Sequence, residues 1–269
     1  MTFLYSIPAP LLLLLALAVA ITVVGAAQTY VHRRFSGQDF IAHNEIGGVV
    51  ISVSGTLYAV ILGFLTAVAW QHFQEARQTV VLESAADIDA WHTAVGLPAP
   101  VRQRIRNDML SYANIMIVGE WPKMRRGQFV DAAAMIGMDA IDAAGEVTPA
   151  NGGQSNAQVA TLQQLSVLHD ARQRRIGINN SGVSGFEWLV LLLGAVSVTS
   201  LCWLFGLRTQ RAQLLMTSAV VAMIVSILML LFELQYPFRS AIAIPSDAWR
   251  GAIEHIHEMQ TGELNSMRM

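Results

Sequence analysis

Hydrophobic and polar positions change character once within a single unbroken stretch, residues 47–95, GGVVISVSGTLYAVILGFLTAVAWQHFQEARQTVVLESAADIDAWHTAV. The first half is apolar and rich in small residues, the second is charged and amphipathic, and nothing between them breaks a helix. The pattern predicts one helix that crosses a membrane and continues into water, about 70 Å long at 1.5 Å per residue. Its spanning part covers 49–70 and ends at Trp70, an aromatic suited to the interface.

Three further apolar runs have spanning length. Residues 8–31 (PAPLLLLLALAVAITVVGAAQTYV) suffice for a hydrocarbon core of about 30 Å and are followed by His32, Arg33 and Arg34. A cleaved signal peptide is the competing reading. The lack of Lys or Arg before Pro8, and a run exceeding the usual ~7–15-residue signal core, favour a retained span. Residues 36–48, with Asp39, His43, Asn44 and Glu45, form a polar linker. Runs 186–207 and 214–232 are joined by a short turn bearing Arg208 and Arg211, which makes them an antiparallel hairpin.

Between the hairpins the periodicity is helical. Phe73, Val80, Ser84, Ile88, Trp91 and Val95 share one face, with Glu75, Arg77, Glu83, Asp87 and Asp89 mostly off it, and Gly96 and Pro98 end the helix. Further helices are expected from 98 to about 121, with Pro122 kinking or ending it, over 128–144, and over 156–176, where Val159, Leu162, Leu165, Leu168 and Arg172 recur at helical spacing. Residues 145–155 read as a loop, and a tail helix starts near Ser246. The expected fold is therefore an all-α integral membrane protein with four transmembrane helices and a helical cytoplasmic insert between the second and third. Its parts are a first hairpin (1–72), the insert (73–183), a second hairpin (184–233) and a C-terminal loop with an amphipathic helix (234–269).

Composition agrees with a bilayer environment: of 269 residues 54% are hydrophobic and 13% charged, against about 25% charged in soluble domains. A net charge of −2 supplies no basic field for nucleic acid. The single Cys202 excludes disulfide frameworks and cysteine zinc sites. Four spans place both termini and the insert on one side, with Arg77, Arg172, Arg174, Arg175, Arg239 and Arg250, against Arg33, Arg34, Arg208 and Arg211 on the other. The positive-inside rule then favours a cytoplasmic insert and termini, although Arg33 and Arg34 sit directly behind the first span.

Candidate chemistry is sparse. There is no phosphate-binding glycine loop, nucleophile elbow or paired-histidine zinc helix, so neither an enzyme nor a cofactor is expected. His255 and His257, beside Glu254 and Glu258, point about 200° apart on a helix and do not share a metal. Lys123, Arg125 and Arg126 read as a solvated face or a lipid-headgroup contact. The spans carry ionisable groups only at their ends, Glu187 and Glu233, which argues against a proton-coupled transporter and is compatible with a passive pore.

The spanning half of the long helix has two faces. Ser52, Ala59, Gly63 and Ala67 form a small-residue stripe suited to close helix packing. Ile51, Gly55, Tyr58, Leu62, Leu65, Ala69 and His72 follow a second stripe. Either both pack on helices, or the small stripe packs on its own subunit or a neighbour while the second lines a symmetry axis as a constriction that gates by dewetting. The corresponding functions are an oligomeric pore, and a non-conducting scaffold or sensor whose insert binds a cytoplasmic partner.

Several short stretches, in order, carry a resemblance: Asn44 through Gly48; Gly55 with Tyr58–Ala59–Val60 and Leu62–Gly63–Phe64; Gln71 and Phe73; Gly96–Leu97–Pro98; Tyr112–Ala113; Glu120–Trp121–Pro122; Asp170–Ala171–Arg172 with Arg175; and Pro237–Phe238. With them the chain resembles the bacterial bestrophin-like membrane family, whose name records a proposed relation to bestrophin anion channels. The resemblance implies a homo-oligomer, a pentamer by analogy, with cytoplasmic termini, a pore along the second span and an anion as its permeant species. Gln235 stands where an acidic residue is expected and Ser240 where glycine is expected.

Overall fold

In the computed structural model, residues 5, 7–35, 44–204 and 209–266 are described, and the side chains of residues 44, 46 and 264–266 fall outside that description. The expected linker residues Asp39 and His43, and Arg208 of the expected turn, lie outside the described residues. The described chain is helical throughout: α1 (Ala9–Arg34), α2 (Asn44–Thr93), α3 (Ala99–Ile115), α4 (Trp121–Met124), α5 (Asp131–Gly145), α6 (Gly152–Asn180), α7 (Gly185–Trp203), α8 (Gln210–Leu234) and α9 (Asp247–Ser266). Four of these helices, α1, α2, α7 and α8, are long and apolar enough to cross a membrane. The chain divides into two compact units, one of residues 1–72 and 182–235, the other of 73–181 and 236–269.

In the first unit α1 and α8 run antiparallel. The start of α1 meets the end of α8, where Tyr5 stacks on Phe232 at 4.6 Å. The end of α1 meets the start of α8, where His32 Nε2 lies 2.9 Å from Gln213 Nε2 and 3.1 Å from the Trp203 carbonyl. Burial here is inverted relative to a soluble protein. Leu14, Val19, Val23, Leu215 and Met223 are exposed, whereas Gln28, Gln213 and Thr217 are buried, as expected where hydrocarbon is the solvent. A capping box starts α7, with Glu187 N–H donating to Ser184 Oγ and Ser184 N–H donating to Glu187 Oε2. At Gln235, where an acidic residue was expected, the amide uses both its functions: Oε1 accepts from Trp188 Nε1 at 3.1 Å and Nε2 donates to Tyr5 at 3.0 Å.

The second unit is a water-type core of the lower part of α2 with α3, α5, α6 and α9, filled by Trp91, Ile105, Met109, Tyr112, Leu165, Leu168, Trp249 and Ile256. Several sequence expectations change here. Pro122 does not end the helix after α3. The chain takes a wider π turn over Met116–Glu120 and resumes helix with Pro122 in the first turn of α4, where a missing N–H costs nothing. The expected loop 145–155 is shorter, because Asn151 caps α6 by accepting from the Gln154 N–H at 2.9 Å. On α6, Val159 is exposed, and the buried stripe instead passes through Thr161, Leu165, Leu168, Arg172, Arg175 and Asn179.

Candidate functional site

Within the spanning half of α2 the two stripes differ in exposure within one chain. Tyr58, Leu62 and Ala69 are buried in their own unit at 8%, 2% and 6% exposure, and Ile51, Gly55 and Leu65 are half-buried. The small residues Ser52, Ala59, Gly63 and Ala67, expected to pack on their own subunit or on a neighbour, are exposed within one chain. The physical reason is a glycine on the facing helix. Gly194 of α7 lets the Tyr58 ring lie directly on its backbone, and a Cβ built at 194 would sit 2.4 Å from Tyr58 Cδ2. Bulk on α2 therefore fills space inside the unit, and a cavity of about 330 Å³ remains between α2, α7 and α8.

The outward side of α2 is uncharged. At 100° per residue Val60 lies about 180° from the Tyr58–Leu62–Ala69 stripe, and Thr56, Val60, Phe64 and Ala67 are all exposed. Its hydroxyls are satisfied within the helix, Ser52 Oγ donating to the Gly48 carbonyl and Thr56 Oγ1 to the Ser52 carbonyl, each at 2.7 Å. No Cβ at Gly48, Gly55 or Gly63 would meet an atom within 4 Å.

The second unit holds a buried ionic cluster. Arg175 of α6 lies between two carboxylates, donating from Nε to Glu83 Oε2 at 2.5 Å, and from Nη2 to Glu83 Oε1 at 3.0 Å and Glu120 Oε1 at 3.3 Å. Tyr112 donates to Glu83 Oε1 at 2.7 Å. Arg172 reaches Glu120 Oε1 at 3.2 Å, and Glu120 Oε2 accepts from the Val130 N–H at 3.1 Å. Burial opposes the Arg175 charge, but Glu83, Tyr112 and Glu120 together outweigh it and hold the guanidinium protonated beyond its usual range. Burial, then the Glu83 charge, push the Tyr112 phenol well up. One turn from Glu83, Asp87 is fully buried and neither oxygen has a hydrogen-bond partner. Burial, then Glu83, raise its carboxyl well above the usual range.

Of the motif residues, Glu120, Trp121, Arg172, Pro237 and Phe238 belong to this unit. Glu120 is in the π turn, next to Trp121, whose Nε1 donates to the Ile244 carbonyl at 3.0 Å and whose ring meets Phe238 edge-on at 5.8 Å. The Pro237 carbonyl accepts from the Ile244 N–H at 2.9 Å. Pro122 is exposed, and Gly48 lies on α2 in the other unit, as does the backbone of Asn44. Glu83 and Asp87 were read as lying off the buried face, and both are at 0% exposure. The spacing Phe73, Ala76, Val80, Glu83, Asp87, Ala90, Ala94 is an unbroken three-four repeat that would have placed both carboxyls in the core. Val95, expected on that face, is exposed. Side chains of Glu254, His255, His257 and Glu258 are exposed on α9.

A crystal structure of a bacterial bestrophin homologue from Klebsiella pneumoniae, solved by Zn-SAD phasing, superposes with a TM-score of 0.70 at 15% identity, covering 93% of this chain and 98% of that one. A variant of the same homologue matches at a TM-score of 0.70 and 15% identity over 93% and 99% of the two chains. A crystal structure described as a membrane protein matches at 0.69 and 16%, over 93% and 98%. At these identities the likeness establishes the fold. No curated protein matches the sequence. The model of the bestrophin-like domain family matches residues 12–249. That match covers most of the chain, including the α2 face and the Glu120–Arg172 cluster, and the chain belongs to the bestrophin-like domain family.

Proposed function

We propose that the protein assembles as a homo-oligomer in the cell membrane and forms a passive pore for anions, with the outward side of α2 around the shared axis. The observation that carries this reading is the uncharged, exposed side of α2 through Thr56, Val60, Phe64 and Ala67, while the bulky inward stripe is occupied by its own unit. Val60 and Phe64 form an apolar constriction, flanked by the smaller Thr56 and Ala67, of the kind that gates by dewetting. Membership of a bestrophin-like family supports a channel over an enzyme. A pentamer follows by analogy with bestrophins, and only the lipid bilayer and an anion are required as partners.

We place the insert and termini on the cytoplasmic side of the inner membrane. Six arginines near the membrane on this side (Arg77, Arg172, Arg174, Arg175, Arg239 and Arg250), against four on the other, support the placement, because the rule counts basic residues whether or not they are paired. The domain limits follow the sequence reading, with the insert leaving α2 near Phe73. The rival reading, a non-conducting scaffold whose insert binds a partner, draws on exposed Val81 and Leu82 in the second unit. Reconstitution in liposomes tests the choice. A ring-shaped oligomer passing chloride supports the pore, and a monomer or dimer without flux supports the scaffold.

A further inference from the structure

A groove of about 570 Å³ runs between α1 and α8 in the first unit, away from the face of α2. It exists because α1 has the small residues Gly25 and Ala26 opposite Leu214 of α8. A Cβ at Gly25 would already be 3.7 Å from Leu214 Cδ2. The groove starts at Ile21 in the apolar part of α1 and closes at Tyr30 and Arg33. From Ile21 to Arg33 the helix rises about 18 Å, slightly more than half of a hydrocarbon core of about 30 Å. The groove thus has the depth of one leaflet and its headgroup layer.

Its charge is one-sided. The last turn of α1 carries His32, Arg33 and Arg34. The first turn of α8 carries Arg211, and the helix N-terminus adds partial positive charge. α1 has no acidic residue, and Glu233 of α8 lies at its opposite end. Arg33 is exposed, with no carboxylate in ion-pair range among the described residues. A slot one leaflet deep, apolar at Ile21, Gly25, Ala26 and Leu214 and edged by hydroxyls, that ends in an exposed guanidinium and a phenol matches one ligand chemistry, a phosphate ester carrying an acyl chain.

We infer that this groove binds an anionic glycerophospholipid of the surrounding bilayer, its phosphate on Arg33 with Tyr30 beside it and one acyl chain along Gly25 and Ala26. A free phosphate makes no use of the apolar slot, so the source is lipid.

Native mass spectrometry of the purified protein from nanodiscs holding phosphatidylglycerol and phosphatidylcholine in equal amounts tests this. The wild type retains phosphatidylglycerol preferentially. Arg33→Gln lowers that preference about fivefold, as expected for one basic residue at an anionic headgroup. Ala26→Phe, which fills the slot, lowers retention of both lipids. Leu14→Phe, at an exposed position elsewhere on α1, retains lipid as the wild type does and controls for nonspecific effects of added bulk. Inorganic phosphate does not compete. Equal retention of the two lipids by the wild type, an unchanged preference in Arg33→Gln, or full retention in Ala26→Phe with a native melting profile would each overturn the inference. So would a cross-link from Ala26→Cys to a second copy of the chain.

Discussion

The Tyr58 ring lies on the backbone of Gly194 so closely that an added Cβ there would be 2.4 Å from Cδ2 and 2.6 Å from Cε2. This contact locks α2 to α7 and fixes which side of α2 turns away from its own unit. Gly194→Ala is expected to destabilise the membrane unit by about 1–3 kcal/mol through overpacking. Adding Tyr58→Leu should recover most of the loss, because the flat ring is the obstacle. Thermal unfolding in detergent checks both, and an unperturbed Gly194→Ala would contradict the packing.

Arg175 holds two carboxylates that have few alternatives. Arg175→Met leaves Glu83 and Glu120 buried beside one another's network without their shared cation, and is expected to cost about 3–5 kcal/mol. Arg175→Lys should also be destabilising, since an ammonium cannot span both carboxylates as the guanidinium fork does. Combining Arg175→Met with Glu83→Gln should cost less than the sum of the single changes, because the double variant removes one of the stranded charges.

Asp87 sets a pH dependence of definite sign. Its carboxyl is raised by burial and by Glu83, so the folded state keeps a proton that the unfolded chain has lost. The stability this group contributes is complete below the unfolded value near 3.8 and is lost as pH rises from there towards the raised native value. Asp87→Asn, which mimics the protonated form, should therefore stabilise the helical insert more at pH 8 than at pH 5. Melting curves across that range read the difference, and a pH-independent gap would contradict it.

The four helices of spanning length, α2 among them, were legible because membrane-length apolar runs and helical periodicity are local properties. The assignment of faces was less legible. Both stripes of α2 have helical spacing, and only the presence of Gly194 on another element decides that Tyr58 turns inward. Glu83 and Asp87 show the converse error. Charge suggested a solvated face, yet the repeat from Phe73 to Ala94 already ran through them, and the compensating Arg175 lies far along the chain. Val159 was misassigned for a similar reason, since α6 buries polar Thr161 and Asn179 in preference to an available valine. The motif at Glu120–Trp121–Pro122 was visible as residues but not as geometry, because a π turn leaves no periodic mark in so short a stretch.

Whether the proposed pore runs along the outward side of α2 is the central question. Cysteine scanning in reconstituted liposomes answers it most directly, with the buried Cys202 replaced by serine and chloride flux recorded before and after a small hydrophilic thiol reagent. Block of flux in Thr56→Cys and Val60→Cys, with Leu62→Cys unaffected, is the predicted result. Absence of chloride flux from the intact oligomer, or block at Leu62→Cys with Val60→Cys inert, would contradict a pore along the outward side of α2.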